Sequence, residues 1–242
     1  MSWAIVSDIH SNLEALDAVL ADLDCLRPES IVCLGDFVGY GASPNECVEK
    51  LRPRLAAAVA GNHDWAAIGR MRMGSFNGDA AQAARWTGTM LTPENREYLL
   101  GLPLTARWQG ALLVHASALF PDRWAYVLSP EDAAEEMSAF DERLAFIGHS
   151  HYPGAFERDE RGAIRYTREA EIRLVPGRRY MVNVPSVGQP RDGDPRAGYL
   201  LVDEAAGVLR QVRLGYDVEG AMGRIREAGL PRFLAERLLA GE

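Results

Sequence analysis

The chain has 242 residues and a formal net charge of -8; 48% of its residues are hydrophobic and 25% are charged. This balance is ordinary for a globular protein, and so acidic a chain lacks the basic face that a large nucleic acid or an anionic membrane surface requires. With no run near the ~18 apolar residues that span a bilayer and no signal-peptide pattern, the sequence predicts one cytoplasmic domain over residues 1–242.

The three cysteines of the chain also favour a cytoplasmic location. Cys25, Cys33 and Cys47 are odd in number and form no C-x-x-C pair. We expect reduced core thiols, as in a cytoplasmic protein.

Short apolar runs alternate with helical patterns along the first part of the chain. The helix predicted in SNLEALDAVLADL has Ser11 or Asn12 as its cap, and further helices are predicted near 79–90, near 93–100 and from Ser129 onward. The short apolar run WAIVSD is predicted to be a buried strand. Further strands are predicted in SIVCLGD, ALLVHAS and RLAFIGH and within AAAVAGNHD.

The later part of the chain carries paired segments separated by turn residues. AFERDERGAIRYT, RRYMVNVPSVG and GYLLVDEAAGVLRQVRL are predicted to form strands and hairpins, and the tail is predicted to form two short helices divided at Gly229-Leu230-Pro231. Parallel βαβ units followed by hairpins indicate an α/β (α+β) fold of mixed sheets covered by helices.

Metal-ligating residue types follow the predicted strands of the first part. In α/β sheets such strand ends converge on one crevice, and residues two apart in an extended segment face the same side. All five histidines of the chain fall in these segments, in the set Asp8, His10, Asp36, Asn62, His63, His115, His149 and His151.

A single histidine at a strand end is more often an ordinary hydrogen-bonded residue, and the glycine with Asn or Asp is common turn chemistry. Because all five histidines fall in these strand-end segments, the pattern favours a metal site. Mixed imidazole and carboxylate ligands suit Mn, Fe, Ni or Zn, and their number exceeds one tetrahedral structural zinc site. Two divalent transition metal ions fit the set better than one.

The ordered motifs D-x-H, GD, GNHD, a single His and GHSH resemble the calcineurin-like metallophosphoesterase superfamily. The segments GYG, SVGQPRDGDPRAGY and AGLP…AERLLAG resemble a bacterial and archaeal phosphodiesterase branch related to diadenosine tetraphosphatase. The resemblance implies a four-layer sandwich in which two mixed β-sheets are flanked by helices. It also implies hydrolysis of phosphodiester bonds in small molecules or nucleotides by a hydroxide that two metals activate.

The resemblance also implies a role for each motif residue. One metal would be held by Asp8, His10, Asp36 and His151. The other would be held by Asp36, Asn62, His115 and His149, so that Asp36 bridges the pair. His63 would be the acid that protonates the leaving oxygen.

Two positions depart from the family pattern. Protein-phosphatase members carry a second aspartate three residues after the bridging one, where this chain has Gly39. NVPSVGQ has Val184 and Pro185 where many relatives have Pro-Gly. Gly39 disfavours the alternative of a phosphomonoesterase or protein phosphatase, and His63 disfavours a non-catalytic scaffold such as the retromer subunit of this fold.

Each of the remaining candidate residues has a functional and an ordinary structural interpretation. Arg191 and Arg196 are candidates to clamp a phosphate, or belong to a solvated loop. Tyr40 and Trp65 could stack on a base, although packing is the commoner role of such residues. Asp64 and Asn12 are candidates to orient ligands, or are a turn residue and a helix cap. The expected partner is a small phosphorylated substrate, and the oligomeric state stays open.

Overall fold

The computed structural model describes residues 2–242 and arranges them as two six-stranded sheets with helices on their outer faces. The strands are β1 (Ser2–Val6), β2 (Ser30–Cys33), β3 (Leu55–Ala58), β4 (Thr105–Trp108), β5 (Ala111–Val114), β6 (Leu144–Ile147), β7 (Gly154–Arg158), β8 (Ile164–Thr167), β9 (Glu171–Arg173), β10 (Arg179–Asn183), β11 (Ala197–Asp203) and β12 (Val208–Leu214). The helices are α1 (Leu13–Leu26), α2 (Pro44–Leu51), α3 (Asn62–Ile68), α4 (Gly78–Met90), α5 (Pro93–Gly101), α6 (Pro130–Glu136), α7 (Val218–Glu227) and α8 (Arg232–Ala240), with 3₁₀ turns at Arg52–Arg54 and Met73–Ser75.

Each sheet combines three neighbouring parallel strands with antiparallel strands beside them. The first has the order β3-β2-β1-β11-β12-β9, and β1, β2 and β3 are parallel. The second has the order β4-β5-β6-β10-β7-β8, and β5, β6 and β10 are parallel. The remaining neighbours pair antiparallel, so both sheets are mixed, as predicted.

The two sheets pack face to face through a continuous apolar core. Trp3 of the first sheet meets Phe146 of the second edge-on, with ring centroids 5.5 Å apart. Ile5, Val32 and Val182 are fully buried in the same cluster. Burying such side chains contributes about 1.5–3 kcal/mol each, so this layer holds the strand ends of the two sheets in a fixed relation.

Helices cover both outer faces and complete the four layers. The apolar stripe of α1 and the inner face of α2 pack on the first sheet, while α6 packs on the second. The helix α1 begins where the Asn12 side chain accepts a hydrogen bond from the Ala15 amide, so Asn12 and not Ser11 is its cap. The helix α6 begins with a capping box formed by Ser129 and Asp132.

The structure also contains elements that the pattern of the sequence did not predict. The helices α2 and α3 and the strands β4 and β9 were missed, since α2 begins with the turn-like residues SPN, α3 begins within the GNHD motif and β9 has three residues. The expectation of three core thiols was wrong for Cys25, which is exposed, while Cys33 and Cys47 are buried.

Candidate metal centre

The predicted ligands lie together where parallel strands of both sheets end. Asp8 and His10 follow β1, Asp36 follows β2, and Asn62 opens α3 after β3. His115 directly follows β5, and His149 and His151 follow β6. All seven side chains are buried, although all are polar. Burying so many polar groups costs free energy unless they have partners, so their convergence marks this place as a candidate ligand site.

The backbone at five of these positions adopts the left-handed conformation. The φ angles are 55° at Asp8, 51° at His10, 53° at Asp36, 63° at His149 and 59° at His151. Such angles cost non-glycine residues roughly 1–2 kcal/mol each. Strain of this kind clusters at functional sites, because it lets short loops aim several side chains at one point.

The GH motif needs a glycine for close approach between the two sheets. A β-carbon on Gly148 would lie 2.1 Å from Oγ of Ser7 and 2.5 Å from Oδ2 of Asp8. The glycine therefore allows the loop after β6 to touch the loop after β1. The amide of His149 then donates to the Asp8 carboxylate at 3.2 Å.

The first cluster contains Asp8, His10 and His151, whose ligand atoms lie within 4.8 Å of one another. Nε2 of His151 lies 3.1 Å from Oδ1 of Asp8 and 3.1 Å from Nε2 of His10. Nε2 of His10 also lies 3.6 Å from Oδ2 of Asp36.

The second cluster contains Asp36, His115 and His149. Nε2 of His115 lies 3.3 Å from Oδ2 of Asp36 and 3.1 Å from Oδ1 of Asn62. One oxygen of Asp36 thus lies near a histidine of each cluster. Its other oxygen accepts the backbone amide of His63 at 2.8 Å, which fixes the carboxylate between the two clusters.

Hydrogen bonds to backbone carbonyls fix the tautomer of three of the histidines. Nδ1 of His10 faces the Val38 oxygen at 3.2 Å, and Nδ1 of His115 faces the Leu34 oxygen at 2.7 Å. Nδ1 of His151 likewise contacts the Gln189 oxygen. A carbonyl only accepts, so each Nδ1 carries a proton and each Nε2 is the atom that faces the centre.

This donor set fits metal ions. The lone pairs of His10 and His151 face each other with no proton between them, and Nε2 of His115, which carries a proton while no metal is bound, faces two oxygen acceptors. Among the described side chains, Nε2 of His149 is buried with no hydrogen-bond partner. Converging lone pairs repel unless a cation lies among them, and imidazole with carboxylate suits a transition metal.

The shifted pKa values of the site residues also indicate that the centre is suited to a cation. Burial opposes charge on Asp8, but His151 outweighs it and the pKa of Asp8 lies well below its usual range. Burial likewise opposes charge on Asp36, whose pKa His115 and His63 hold low. Burial disfavours the charged form of His115, yet Asp36 more than compensates and the pKa of His115 rises to about 9. A dication would take the place of that proton.

Asp64 supports the loop that carries Asp36. Its carboxylate accepts the backbone amides of Asp36 at 2.9 Å, Gly61 at 3.0 Å and Val38 at 3.2 Å. Burial, and then the Asp36 carboxylate, raise the pKa of Asp64 to about 7. Asp64 is therefore a positioning residue, while Asn12 caps α1 and ties Gly188 to it through a 2.8 Å hydrogen bond.

His63 lies at the side of the centre and is also buried. Its ring packs between Tyr40 at 4.3 Å and Phe76 at 4.6 Å, measured between ring centroids. Burial and the nearby Arg191 lower the pKa of His63 to about 4 although Asp36 acts in the opposite direction. His63 also has a ligand atom within 4.8 Å of those of His10 and Asp36, so the geometry alone allows it to bind a metal.

A cleft of about 310 Å³ opens over the centre. It is lined by Tyr40, Asn62, His63, Met71, Phe76, Asn77, Ala80, Arg123, Trp124, Tyr126, His149, Arg191 and Arg237.

The candidate substrate contacts separate into two groups. Arg191 and Tyr40 line the cleft and are joined by a 3.1 Å hydrogen bond. Arg196 does not line it; its guanidinium pairs with Asp194 at 2.7 Å, so the structure does not bring Arg196 to the site. Trp65 packs against Trp124 at 5.3 Å and is absent from the lining.

Sequence reasoning missed several residues of the cleft wall. Trp124 and Tyr126 come from the loop between β5 and α6; Tyr126 stacks on His149 at 4.2 Å. The available signal was an aromatic pair in a loop that follows a ligand-bearing strand. Arg237 comes from α8, and no local pattern distinguishes it from the other arginines of the tail.

The fold and the donor set define an α/β protein with a cleft above a candidate metal centre. A model of the calcineurin-like phosphoesterase superfamily domain matches residues 1–207, and the chain belongs to that family. Members of the family are metal-dependent phosphoesterases, which indicates hydrolase activity. Within residues 2–242, none of the helices has the length and apolar character needed to span a membrane.

The chain is also similar to individual proteins along its whole length. Protein MJ0912 of Methanocaldococcus jannaschii is 40% identical, over 98% of this chain and 97% of the relative. A crystal structure of a metallophosphoesterase from Sphaerobacter thermophilus has 40% identity and a TM-score of 0.88, covering 100% of this chain and 99% of that one. The hypothetical protein PH1004 of Pyrococcus horikoshii has 20% identity and a TM-score of 0.80, covering 100% and 98%, and shares the fold.

Proposed function

We propose that the protein is a dinuclear metal-dependent phosphodiesterase acting on small phosphodiesters or nucleotides. The observation that carries the proposal is the position of Asp36, whose Oδ2 lies 3.6 Å from Nε2 of His10 and 3.3 Å from Nε2 of His115. A carboxylate held between two histidine clusters is suited to bridge two ions. Mn, Fe, Zn and Ni all suit this donor set.

Two bound divalent ions would lower the pKa of a water between them and neutralise charge on a phosphoryl group. Asp8, His10 and His151 would hold one ion, Asn62, His115 and His149 the other, and Asp36 both. The cleft admits a substrate to the exposed side of this pair, and Arg191 can donate to a phosphate oxygen.

His63 would protonate the leaving oxygen. In the free protein its imidazole is neutral near pH 7, because burial lowers its pKa to about 4. An anionic phosphodiester in the cleft would favour the protonated form and raise that pKa. Before substrate binds, the neutral His63 adds no positive charge beside the proposed metal ions.

We also propose a small phosphorylated substrate as the partner and the cytoplasm as the compartment. The net charge of -8 disfavours a long nucleic acid, and the three cysteines are free thiols. The three arginines and the aromatic side chains of the cleft suit a small anion with a ring.

The test is a comparison of substrates on one sample reconstituted with Mn²⁺. Bis-p-nitrophenyl phosphate should be cleaved faster than p-nitrophenyl phosphate, and chelator should abolish both activities. Asp36→Asn provides the matched inactive control, since it changes one oxygen to an amide nitrogen. A tenfold preference for the monoester would instead make the protein a phosphomonoesterase.

A further inference from the structure

The cleft carries three positive side chains although the protein as a whole is acidic. Arg123, Arg191 and Arg237 line it, and among its described lining residues none is aspartate or glutamate. The chain has a formal net charge of -8. A local excess of cations beside a metal centre costs free energy unless an anion occupies the space between them.

Arg191 and Arg237 meet at the same aromatic ring. The guanidinium carbon of each lies 5.8 Å from the ring centroid of Tyr40. That ring lies 4.3 Å from the ring of His63 and 4.6 Å from the ring of His10. The two guanidinium groups therefore form a cationic pair at the His63 side of the centre.

Neither guanidinium has a side-chain carboxylate partner in the part of the chain that the structure describes. Arg191 donates to Oε1 of Gln189 and to the hydroxyl of Tyr40, both at 3.1 Å. Arg237 donates through Nε to the backbone oxygen of Glu242, and its terminal nitrogens have no partner within residues 2–242. Several other arginines of the chain pair with acids, as Arg232 does with Glu236 in the same helix α8.

The two cations also repel each other. Burial and Arg191 together lower the pKa of Arg237, although Tyr40 and Glu242 act in the opposite direction. An arginine that is half-buried, beside a second arginine and without a side-chain carboxylate in hydrogen-bond contact is suited to bind an incoming anion.

We propose that Arg237, together with Arg191, binds a second anionic group of the substrate, a phosphate beyond the phosphoryl group that the metals hold. The substrate class is then a phosphodiester or phosphoanhydride that carries at least one further phosphate. The aromatic wall of Trp124, Tyr126 and Phe76 offers a face for a base or another ring. This inference rests on the proposed phosphoesterase function and names its substrate class.

The test is isothermal titration of the Mn²⁺-loaded full chain with three adenosine nucleotides in excess Mn²⁺. Adenosine 5′-monophosphate has one phosphate, while α,β-methylene adenosine diphosphate and adenosine 3′,5′-bisphosphate place a second phosphate in two different positions. At least one of the two ligands with a second phosphate should bind about tenfold or more tightly than the monophosphate. A tenfold difference in affinity corresponds to about 1.4 kcal/mol of binding free energy. Arg237→Gln and Arg191→Gln should each remove most of that advantage.

Two further variants separate charge from structure. Arg237→Lys keeps a positive charge and should retain part of the advantage, and Arg232→Gln, on the same helix but paired with Glu236, should retain all of it. Equal affinity of the wild-type protein for the three nucleotides, or an advantage unchanged in Arg237→Gln, would overturn the inference. Failure of the proposed function would show separately, as no hydrolysis of bis-p-nitrophenyl phosphate by a protein that binds these ligands.

Discussion

A β-carbon built on Gly39 would lie 2.5 Å from Nδ1 of His63, so the imidazole packs directly against the backbone of the glycine. Protein-phosphatase relatives carry an aspartate at this position. Here the φ angle of Gly39 is 96°, and in the described structure Nδ1 of His63 is buried without a hydrogen-bond partner. The rings of Tyr40 and Phe76 hold the imidazole in place of a carboxylate.

Gly39→Ala should therefore displace His63 as well as strain the backbone. We expect a loss in the free energy of unfolding of about 1–3 kcal/mol, together with a large loss of kcat and retention of both metals. Gly110→Ala is the matched control, because its φ angle is 72° but nothing lies within 4 Å of the added carbon. Unfolding in urea and steady-state kinetics measure the two effects. The same loss of kcat in both variants would mean that the contact with His63 is unimportant.

Asp36→Asn should be the most damaging of the ligand substitutions. One oxygen of Asp36 lies near a histidine of each cluster, so the change should weaken both ions, whereas Asn62→Ala removes a neutral amide from one. Elemental analysis after reconstitution should show two Mn²⁺ per chain for the wild-type protein and the larger loss for Asp36→Asn. Asp17→Asn, at an exposed ion pair with Lys50, controls for loss of charge alone. Equal losses in Asp36→Asn and Asn62→Ala would show that Asp36 does not bridge.

The elevated pKa of His115 predicts a pH dependence of stability in the metal-free protein. The folded-state pKa of about 9 lies above the ordinary histidine pKa of 6.5, so the proton on His115 stabilises the fold fully below pH 6.5. That contribution is lost as the pH rises from 6.5 through 9, and the shift corresponds to about 3 kcal/mol. His149 acts in the opposite sense: burial lowers its pKa to about 3, so it costs stability as the pH falls below 6.5.

The comparison of wild type with His115→Gln isolates the first effect. The difference between their free energies of unfolding without metal should be larger at pH 6 than at pH 9.5. Titration of the wild-type protein with Mn²⁺ at pH 7, in buffers of different ionisation enthalpy, should also show release of about one proton. A difference that does not change with pH would assign the proton to another group.

The convergence of the candidate ligands could be anticipated from the sequence because each lies within a few residues of the end of a strand. A strand such as LAFI is recognisable from its own residues, and the polar GHSH that follows it is a local signal. The convergence of five such ends depends on the two-sheet sandwich. The resemblance to the family implied that sandwich; local pattern implied only mixed sheets.

The wall of the cleft depends on contacts between distant parts of the chain. Arg237 reaches Tyr40 from a helix near the end of the sequence, and Trp124 reaches His115 from a loop. The sequence around Arg196 suggests a phosphate-binding arginine, but the guanidinium of Arg196 forms an ion pair with Asp194, two residues away. Pairing of this kind decides which arginine is free to bind an anion, and it is settled only by the three-dimensional structure.

The role of His63 is open to a direct test, because the geometry allows it to be an acid or a metal ligand. If it is an acid, His63→Gln should retain two Mn²⁺ per chain, and its loss of activity should depend on the leaving group. p-Nitrophenolate departs without a proton, so cleavage of bis-p-nitrophenyl phosphate should be little affected. A ribose alkoxide leaving from a dinucleotide needs the proton, and there the loss should approach the roughly 10²–10⁴ of general acid catalysis. A uniform loss with a missing metal would instead make His63 a ligand.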